Sequence, residues 1–513
     1  MIILGISSGF HDAGVTVVKD GEILFASHSE RYSKEKNDAW LNHDIINAAL
    51  EYGKPDQIVL HEKNWAKKLR NVYAGNWRAL REHSQKKWIE KFYPQLSDIP
   101  IKEYWHHETH AAAGVLTSQF DECAVMVIDA IGEFDTATIW KWSNNKLKKL
   151  HRVWFPSSLG LFYSAVTHHV GLKPNEDEYI LMGMAAYGDP NVYRKLSRQM
   201  GKDFFTHDYA WISEKASVDM KKNLQRGLPK GMYADYNEFD IAAAAQNQIE
   251  KRILAYAEYA QSITNSKNLV FMGGVALNCV ANSRLFEVGF DNIHIMPNPG
   301  DCGSSLGAAA LEYFNQTGKK INWNGPYLGH NIEGPYPIKK ALKSLAKNEL
   351  FGIANGRAEF GPRALGNRTL CADPRGPDVK DRMNVIKKRQ KFRPFAPMIL
   401  EEHVHDYFEM PNGITDAPYM QFVAKCKKPD EFPAIVHKDG TSRVQTVNRM
   451  QHPDLHKLLT QFYRKTGCPM LLNTSLNIKG QPIVNDVADA EAFAEHYGVP
   501  VHTVTNLCLI FFI

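Results

Sequence analysis

The stretch 2–27, IILGISSGFHDAGVTVVKDGEILFAS, decides the fold. IILGISS is an apolar run of strand length, and the alternation in GVTVVKDGEILFAS around Asp20-Gly21 reads as a hairpin closed by a two-residue turn. The same order returns at 123–155, CAVMVIDAIGEFDTATIWKWSNNKLKKLHRVWF, as a buried strand, a Gly/Asp turn and a hairpin turning at Asn144-Asn145. Two such copies, about 120 residues apart, point to an internal duplication. The alternative is two unrelated hairpins within one α/β domain.

The repeated unit resembles the opening of each half of the duplicated actin/hexokinase-type fold. There the two turns face each other across a cleft and hold nucleotide phosphates. Between the copies lies a helical, basic insert at 61–95, and helices dominate from 239 to 265 before a buried strand, NLVFMGG. The Gly/Pro/Asn-rich stretch 318–336 reads as a linker. The expected organisation is therefore α/β: a duplicated N-terminal domain over 1–325 and a smaller α/β C-terminal domain over 337–513.

At 513 residues the chain exceeds one hydrophobic core. Its net charge of +5 is slight for this length and does not by itself imply a nucleic acid. Seven cysteines are scattered without a C-x-x-C pair, which disfavours a disulfide framework or a cysteine-held zinc and fits a reducing cytoplasm. The start lacks a basic n-region, so no signal peptide is read there. No apolar run approaches a membrane span, and the terminal NLCLIFFI has the length of a buried strand.

YWHHETHAAAG (104–114) places His106 and His110 four apart, on one face of a helix. It falls one residue short of the H-E-x-x-H protease spacing, so the alternatives are a different metal site or hydrogen-bonded helical histidines. Far along the chain, NPGDCGSSLGAAA (298–310) puts Asp301 on a glycine-hinged turn. A carboxylate so placed can join two helical histidines, a donor set that suits iron, manganese or zinc. The same stretch formally matches the G-x-S-x-G nucleophile elbow, but Pro297 and Pro299 break the strand that motif needs. FMGGVALNCVAN (271–282) sets Gly273-Gly274 between a strand and a helix with Asn278, as at many anion-facing turns. In GFHDAG (9–14), His11 suits a general base, and a turn-capping His-Asp pair is the alternative. The second unit concentrates Arg363, Arg368, Lys387, Arg393 and Arg443 among Gly, Pro and small polar residues, where a guanidinium is positioned to fork a phosphate; Asn473 and Ser475 follow in LLNTSLN.

Together EFGPRALGNR, FRPFAP, DGTSRVQTV, LLNTSLN, MGMAAYG, HDAGVTVVKDG, GGVALN, GDCGSSLGAA and the H-x-x-x-H at 106–110 resemble the O-carbamoyltransferase family of nodulation and antibiotic-tailoring enzymes over nearly the whole chain. The resemblance implies an N-terminal domain like the threonylcarbamoyl-transfer protein of tRNA modification and a C-terminal domain like its carbamoyl-adenylate-forming partner. It assigns carbamoyl phosphate and ATP to Arg363, Lys387, Arg393, Arg443, Asn473 and Ser475, with Lys387 and Arg393 counted as catalytic. His106, His110 and Asp301 become metal ligands, with iron in first place and manganese or zinc as alternatives. Asp129, Gly273, Gly274 and Asn278 match nucleotide-cleft positions, His11 is the base, and ATP, with Mg²⁺ beside it, is co-substrate. Two positions depart from the family: Ala130 stands where a glycine is usual, and Ile180 where a lysine is common.

The acceptor hydroxyl is open between a small natural product or sugar and a hydroxymethylated pyrimidine, as nucleotide or in DNA. The second option rests on the 61–95 insert, where Lys63, Lys67, Lys68, Arg70, Arg78, Arg81, Lys86, Lys87 and Lys91 interleave with Trp65, Tyr73, Trp77 and Trp88. An amphipathic helix pair with core tryptophans is the plainer reading. The competing activities are a small-molecule kinase of the actin/hexokinase superfamily and a non-catalytic ATP-dependent binding protein. A membrane partner is not expected, and the oligomeric state is left open.

Overall fold

The computed structural model describes residues 1–81, 84–206 and 223–503, so the expected terminal strand NLCLIFFI lies outside the described residues. The chain divides into two compact units, Met1–Ser29 with Asn37–Trp323, and Glu30–Lys36 with Asn324–Ile513.

The first unit carries the duplication. Its opening sheet joins β1 (Ile2–Ser7), β2 (Gly14–Lys19), β3 (Glu22–His28), β4 (Gln57–Leu60) and β5 (Ile101–Glu103) in the order β3-β2-β1-β4-β5. The second sheet joins β6 (Cys123–Ile128), β7 (Asp135–Ser143), β8 (Lys146–Trp154), β9 (Asn268–Met272) and β10 (Asn292–His294) in the order β8-β7-β6-β9-β10. The two orders are identical once each half is counted from its own first strand. In both, the hairpin strands run antiparallel and the outer strands parallel to the first. Both hairpins turn where expected: Asp20 and Gly21, and Asn144 and Asn145, all take positive φ, as a type I′ turn demands. β6 is buried along its whole length, because a central strand covered on both faces must be apolar throughout.

Six helices matter to the site. Between β4 and β5 the insert forms α1 (Asn64–Tyr73) and α2 (Gln85–Phe92). After β5 comes α3 (His106–Thr117); α4 (Leu159–His169) and α5 (Glu238–Thr264) lie between β8 and β9; α6 (Ser304–Thr317) follows β10. Thus α3 and α6 occupy equivalent places in the two halves. They approach closely because both are built of small residues: a Cβ on Gly307 of α6 would lie 1.9 Å from the Thr109 carbonyl oxygen of α3. No described helix is long and apolar enough to cross a membrane.

The second unit is smaller and centres on a six-stranded mixed sheet. Its strands are β11 (Phe351–Ala354), β12 (Arg368–Ala372), β13 (Ala396–Leu400), β14 (Gln445–Val447), β15 (Met470–Ser475) and β16 (Val501–His502), ordered β14-β13-β15-β12-β11-β16. Helix α7 (Val379–Lys387) joins β12 to β13. Arg368 is a structural staple in this unit and not the anion contact expected of it. It is fully buried and donates to the carbonyls of Asn485, Asn355, Gly356, Asn367 and His330.

Candidate active site

Helical period brings His106 and His110 to one face of α3, and their Nε2 atoms lie 3.1 Å apart. Asp301 sits in the short turn that opens α6, and its Oδ1 stands 3.4 Å from each Nε2. A fourth donor joins them from the turn after β6. Asp129 Oδ2 lies 3.1 Å from His106 Nε2 and 3.5 Å from His110 Nε2. All four side chains are buried.

This donor set fits a divalent cation. Ligands at about 2.0–2.2 Å from one ion stand about 2.8–3.6 Å from their neighbours across octahedral and tetrahedral geometries, a range that holds the spacings found here. Burial works against charge on every member. Even so, the Asp301 and Asp129 carboxylates hold the His106 imidazole well above its usual pKa, and the same two acids raise that of His110. In return the histidines keep Asp129 and Asp301 ionised, against both burial and, at Asp129, the repulsion of Asp301. Two carboxylates thus face two imidazole nitrogens too close for both to carry protons toward each other, and a dication resolves that conflict. Asp301 Oδ1 is also a buried oxygen with no hydrogen-bond partner among the described residues.

Asp129 has a second duty. Its Oδ1 accepts the Gly274 N–H at 3.2 Å, so the residue expected in the nucleotide cleft belongs equally to the donor cluster. Gly273 takes φ 92°, and a Cβ there would strike the Ile128 carbonyl oxygen at 2.2 Å, so only glycine fits that turn. Asn278 caps the helix Cys279–Arg284 through the Ala281 N–H and pairs its amide with Gln246 of α5, so it shapes the turn. Ala130 adopts no left-handed conformation, so alanine is accommodated where glycine is usual; Ile180 is buried. His11 stands on the first turn with Nε2 3.8 Å from Asp301 Oδ2, partly exposed beside the buried cluster.

Sequence reasoning missed Glu133. This buried carboxylate accepts the His106 N–H at 3.1 and 3.2 Å and the Lys63 N–H at 2.8 Å, supplying the cap that Trp105 does not give α3. A Glu inside a Gly/Asp turn was the available signal. His107 turns away and bonds Thr138 Oγ1, as a structural histidine. Ser305 of the G-x-S-x-G match lies inside α6, buried and bonded to Thr16 and the Cys302 carbonyl, so no nucleophile elbow forms.

In the second unit, Lys387 ends α7 and donates to the Ser475 carbonyl at 2.7 Å and to the Asn477 side-chain oxygen at 2.5 Å. Burial, with Arg389 and Arg393 beside it, brings its ammonium down to about 7. Arg389, which the sequence reading passed over, stacks on Phe395 at 3.7 Å and donates to the Pro394 carbonyl. Arg393 meets Gln390 Oε1 at 3.4 Å, Ser475 Oγ donates to Asn477, and Arg363 is half-buried. Arg443 keeps a buried Nε with no partner among the described residues, a donor still available to an anion. Asn473 differs from expectation. Its amide already donates to the Ala364 carbonyl and Gln445 and accepts from Thr369, so it braces the sheet.

Two family models cover most of the chain: the carbamoyltransferase N-terminus over residues 2–310 and the carbamoyltransferase C-terminus over residues 342–510. The chain belongs to the carbamoyltransferase family. Its relatives include the uncharacterized protein sll1178 of Synechocystis, 34% identical over 95% of this chain and 93% of the other. Nodulation protein NolO of Bradyrhizobium diazoefficiens is 36% identical over 75% of each chain. The 3'-hydroxymethylcephem-O-carbamoyltransferase of Amycolatopsis lactamdurans is 28% identical over 97% of each. In this carbamoyltransferase the insert is not a pair of helices around core tryptophans, since Trp65 and Trp77 are exposed and only Trp88 is half-buried. Lys67, read as a phosphate contact, is instead paired with Glu62 and donates to the Gly9 carbonyl, pinning the first turn.

Proposed function

We propose that this carbamoyltransferase is an ATP-dependent O-carbamoyltransferase that works in two half-reactions. Carbamoyl phosphate is hydrolysed to phosphate and carbamate in the second unit. A carbamate oxygen then attacks the α-phosphorus of ATP, giving carbamoyl-AMP and pyrophosphate. Lys387, Arg363, Arg393 and Arg443 neutralise the phosphates. In the first unit an acceptor hydroxyl attacks the carbamoyl carbon, His11 takes its proton, and AMP leaves. His106, His110, Asp129 and Asp301 would hold a divalent ion, iron in first place, which when bound acts as a Lewis acid on the carbamoyl carbonyl. The AMP lies against the side-chain-free Gly273-Gly274 turn, whose own N–H groups are held by the Pro299 carbonyl and Asp129 Oδ1. Adenylation makes physical sense because carbamate is a poor electrophile, and a closed site limits hydrolysis of the mixed anhydride.

One observation supports this reading: Asp129 touches the metal-type donors with one oxygen and the Gly273-Gly274 turn with the other. On this reading the metal donors and the glycine turn of the nucleotide cleft share one side chain. The acceptor is a hydroxymethylated pyrimidine, as nucleotide or in DNA, or a small natural product or sugar.

The test supplies labelled carbamoyl phosphate and ATP with hydroxyl acceptors, including hydroxymethylcytosine as nucleotide and in DNA. AMP and pyrophosphate are expected; ADP would instead mark a small-molecule kinase. His110→Ala should abolish transfer while pyrophosphate formation continues, and loss of both together would count against two separate sites.

A further inference from the structure

Helix α1 is built inside out. Trp65, Leu69 and Tyr73 recur every fourth residue, so they share one helical face, and they are 57%, 51% and 70% exposed. The inward face is polar. Asn64 donates to Glu103 and accepts the Gln85 N–H, Lys67 pairs with Glu62, and Arg70 lies buried in the field of Glu62 and Glu133. The short helix Trp77–Arg81 adds two more exposed apolar residues, Trp77 and Leu80. A helix normally turns such a stripe toward the core, and an outward one marks an interaction surface.

We propose that this face docks a single-stranded nucleic acid, which brings the acceptor hydroxyl to the site; the acceptor part rests on the reading above. Charge selects the occupant. The 61–95 insert holds nine lysines and arginines against three glutamates, so it accounts for more than the whole chain's net charge of +5. Arg78, Arg81, Lys86, Lys87 and Lys91 are exposed around the aromatic residues. Phosphates answer the cations, and bases stack on tryptophan and tyrosine whatever their sequence. A base must leave its duplex to stack in this way, and a hydroxyl carried on a base must leave it to react. Location favours a substrate over a lipid surface. Trp65 meets Trp105 at 5.9 Å, Trp105 directly precedes His106, and Glu133 binds the N–H groups of both Lys63 and His106. The aromatic face is thus built onto the end of the helix that carries the metal-type donors.

The experiment measures binding of a fluorescent mixed-sequence single-stranded oligonucleotide to the full chain by anisotropy, across a salt series and without turnover. Failure of the carbamoyl chemistry would therefore leave the readout untouched. Binding should weaken with salt, and a matched duplex should bind less tightly. W65A/Y73A/W77A should weaken the single strand at least about tenfold with its salt slope kept, since stacking carries the loss. R78A/R81A/K87A should lower the logarithmic salt slope by about 2. Thermal unfolding reads whether both variants stay folded, as exposed positions should. No binding at low salt, or equal binding by the aromatic variant, overturns the proposal. So does binding to phosphatidylserine vesicles with none to the oligonucleotide.

Discussion

Asp129 and Lys387 are the side chains on which the proposed chemistry can be tested most directly. Asp129→Asn removes a negative charge from the donor cluster while keeping a group that can still meet the Gly274 N–H. Metal affinity of the purified protein, read by elemental analysis after dialysis against a chelator, should fall at least about tenfold, with the fold kept. Lys387 makes a pH prediction. Its folded pKa is lowered to about 7, so it is protonated and attracts anions below that pH and is neutral above it. Affinity for sulfate, whose charge is constant across this range, should therefore fall as pH rises through about 7. A bound anion also favours the charged form, so binding at pH 8 should take up a proton, whereas binding at pH 6 should not. Calorimetry in buffers of different ionisation enthalpy reads this directly, and Lys387→Met should remove both effects. Residue roles were only partly legible in the sequence. His106 and His110 follow from helical period alone. Asp129's double contact depends on turn geometry that no spacing encodes. Arg368 resembles its arginine neighbours in sequence, and only burial separates a staple from a ligand.

At the scale of elements, the donor cluster depends on how closely α3 and α6 approach. Gly307 has no room for a methyl group against Thr109, and Ala113 lies 3.0 Å from the same point. Gly307→Ala should push α6 away and carry Asp301 from the histidines. We expect a loss of about 1–3 kcal/mol in stability, together with lost metal binding, although position 307 touches none of the four donors. A melting temperature unchanged alongside full metal content would show that the helices do not set the cluster. In the sequence the runs AAAG and GAAA are legible only as small residues. Their meaning, two helix backbones in contact, requires knowing that the helices pair. The insert gave the opposite lesson. Its amphipathic pattern was plain, but the pattern does not say which face turns inward, and buried Glu62 and Glu133, with half-buried Glu103, draw the polar side of α1 to the protein.

Over the whole molecule, the duplication was legible because each hairpin is local and closed by residues that favour positive φ. The completion of the second half was hidden, since β8 ends at Trp154 and β9 starts at Asn268. Hidden too was the excursion of Glu30–Lys36 into the second unit. There Arg31 is buried and donates to the carbonyls of Ile483 and Gly361, and Lys34 pairs with Asp489. Arg31→Ala should lower the stability of the second unit by about 2–3 kcal/mol in denaturant unfolding. The early position of this segment sets a schedule for biosynthesis. Arg31 leaves the ribosome 452 residues before Ile483. At about 5–20 residues per second it waits roughly 20–90 s for its partner. During that interval this charged segment must stay solvated while the strands on either side of it pair, and the second unit is completed by a piece of chain made long before the rest of it.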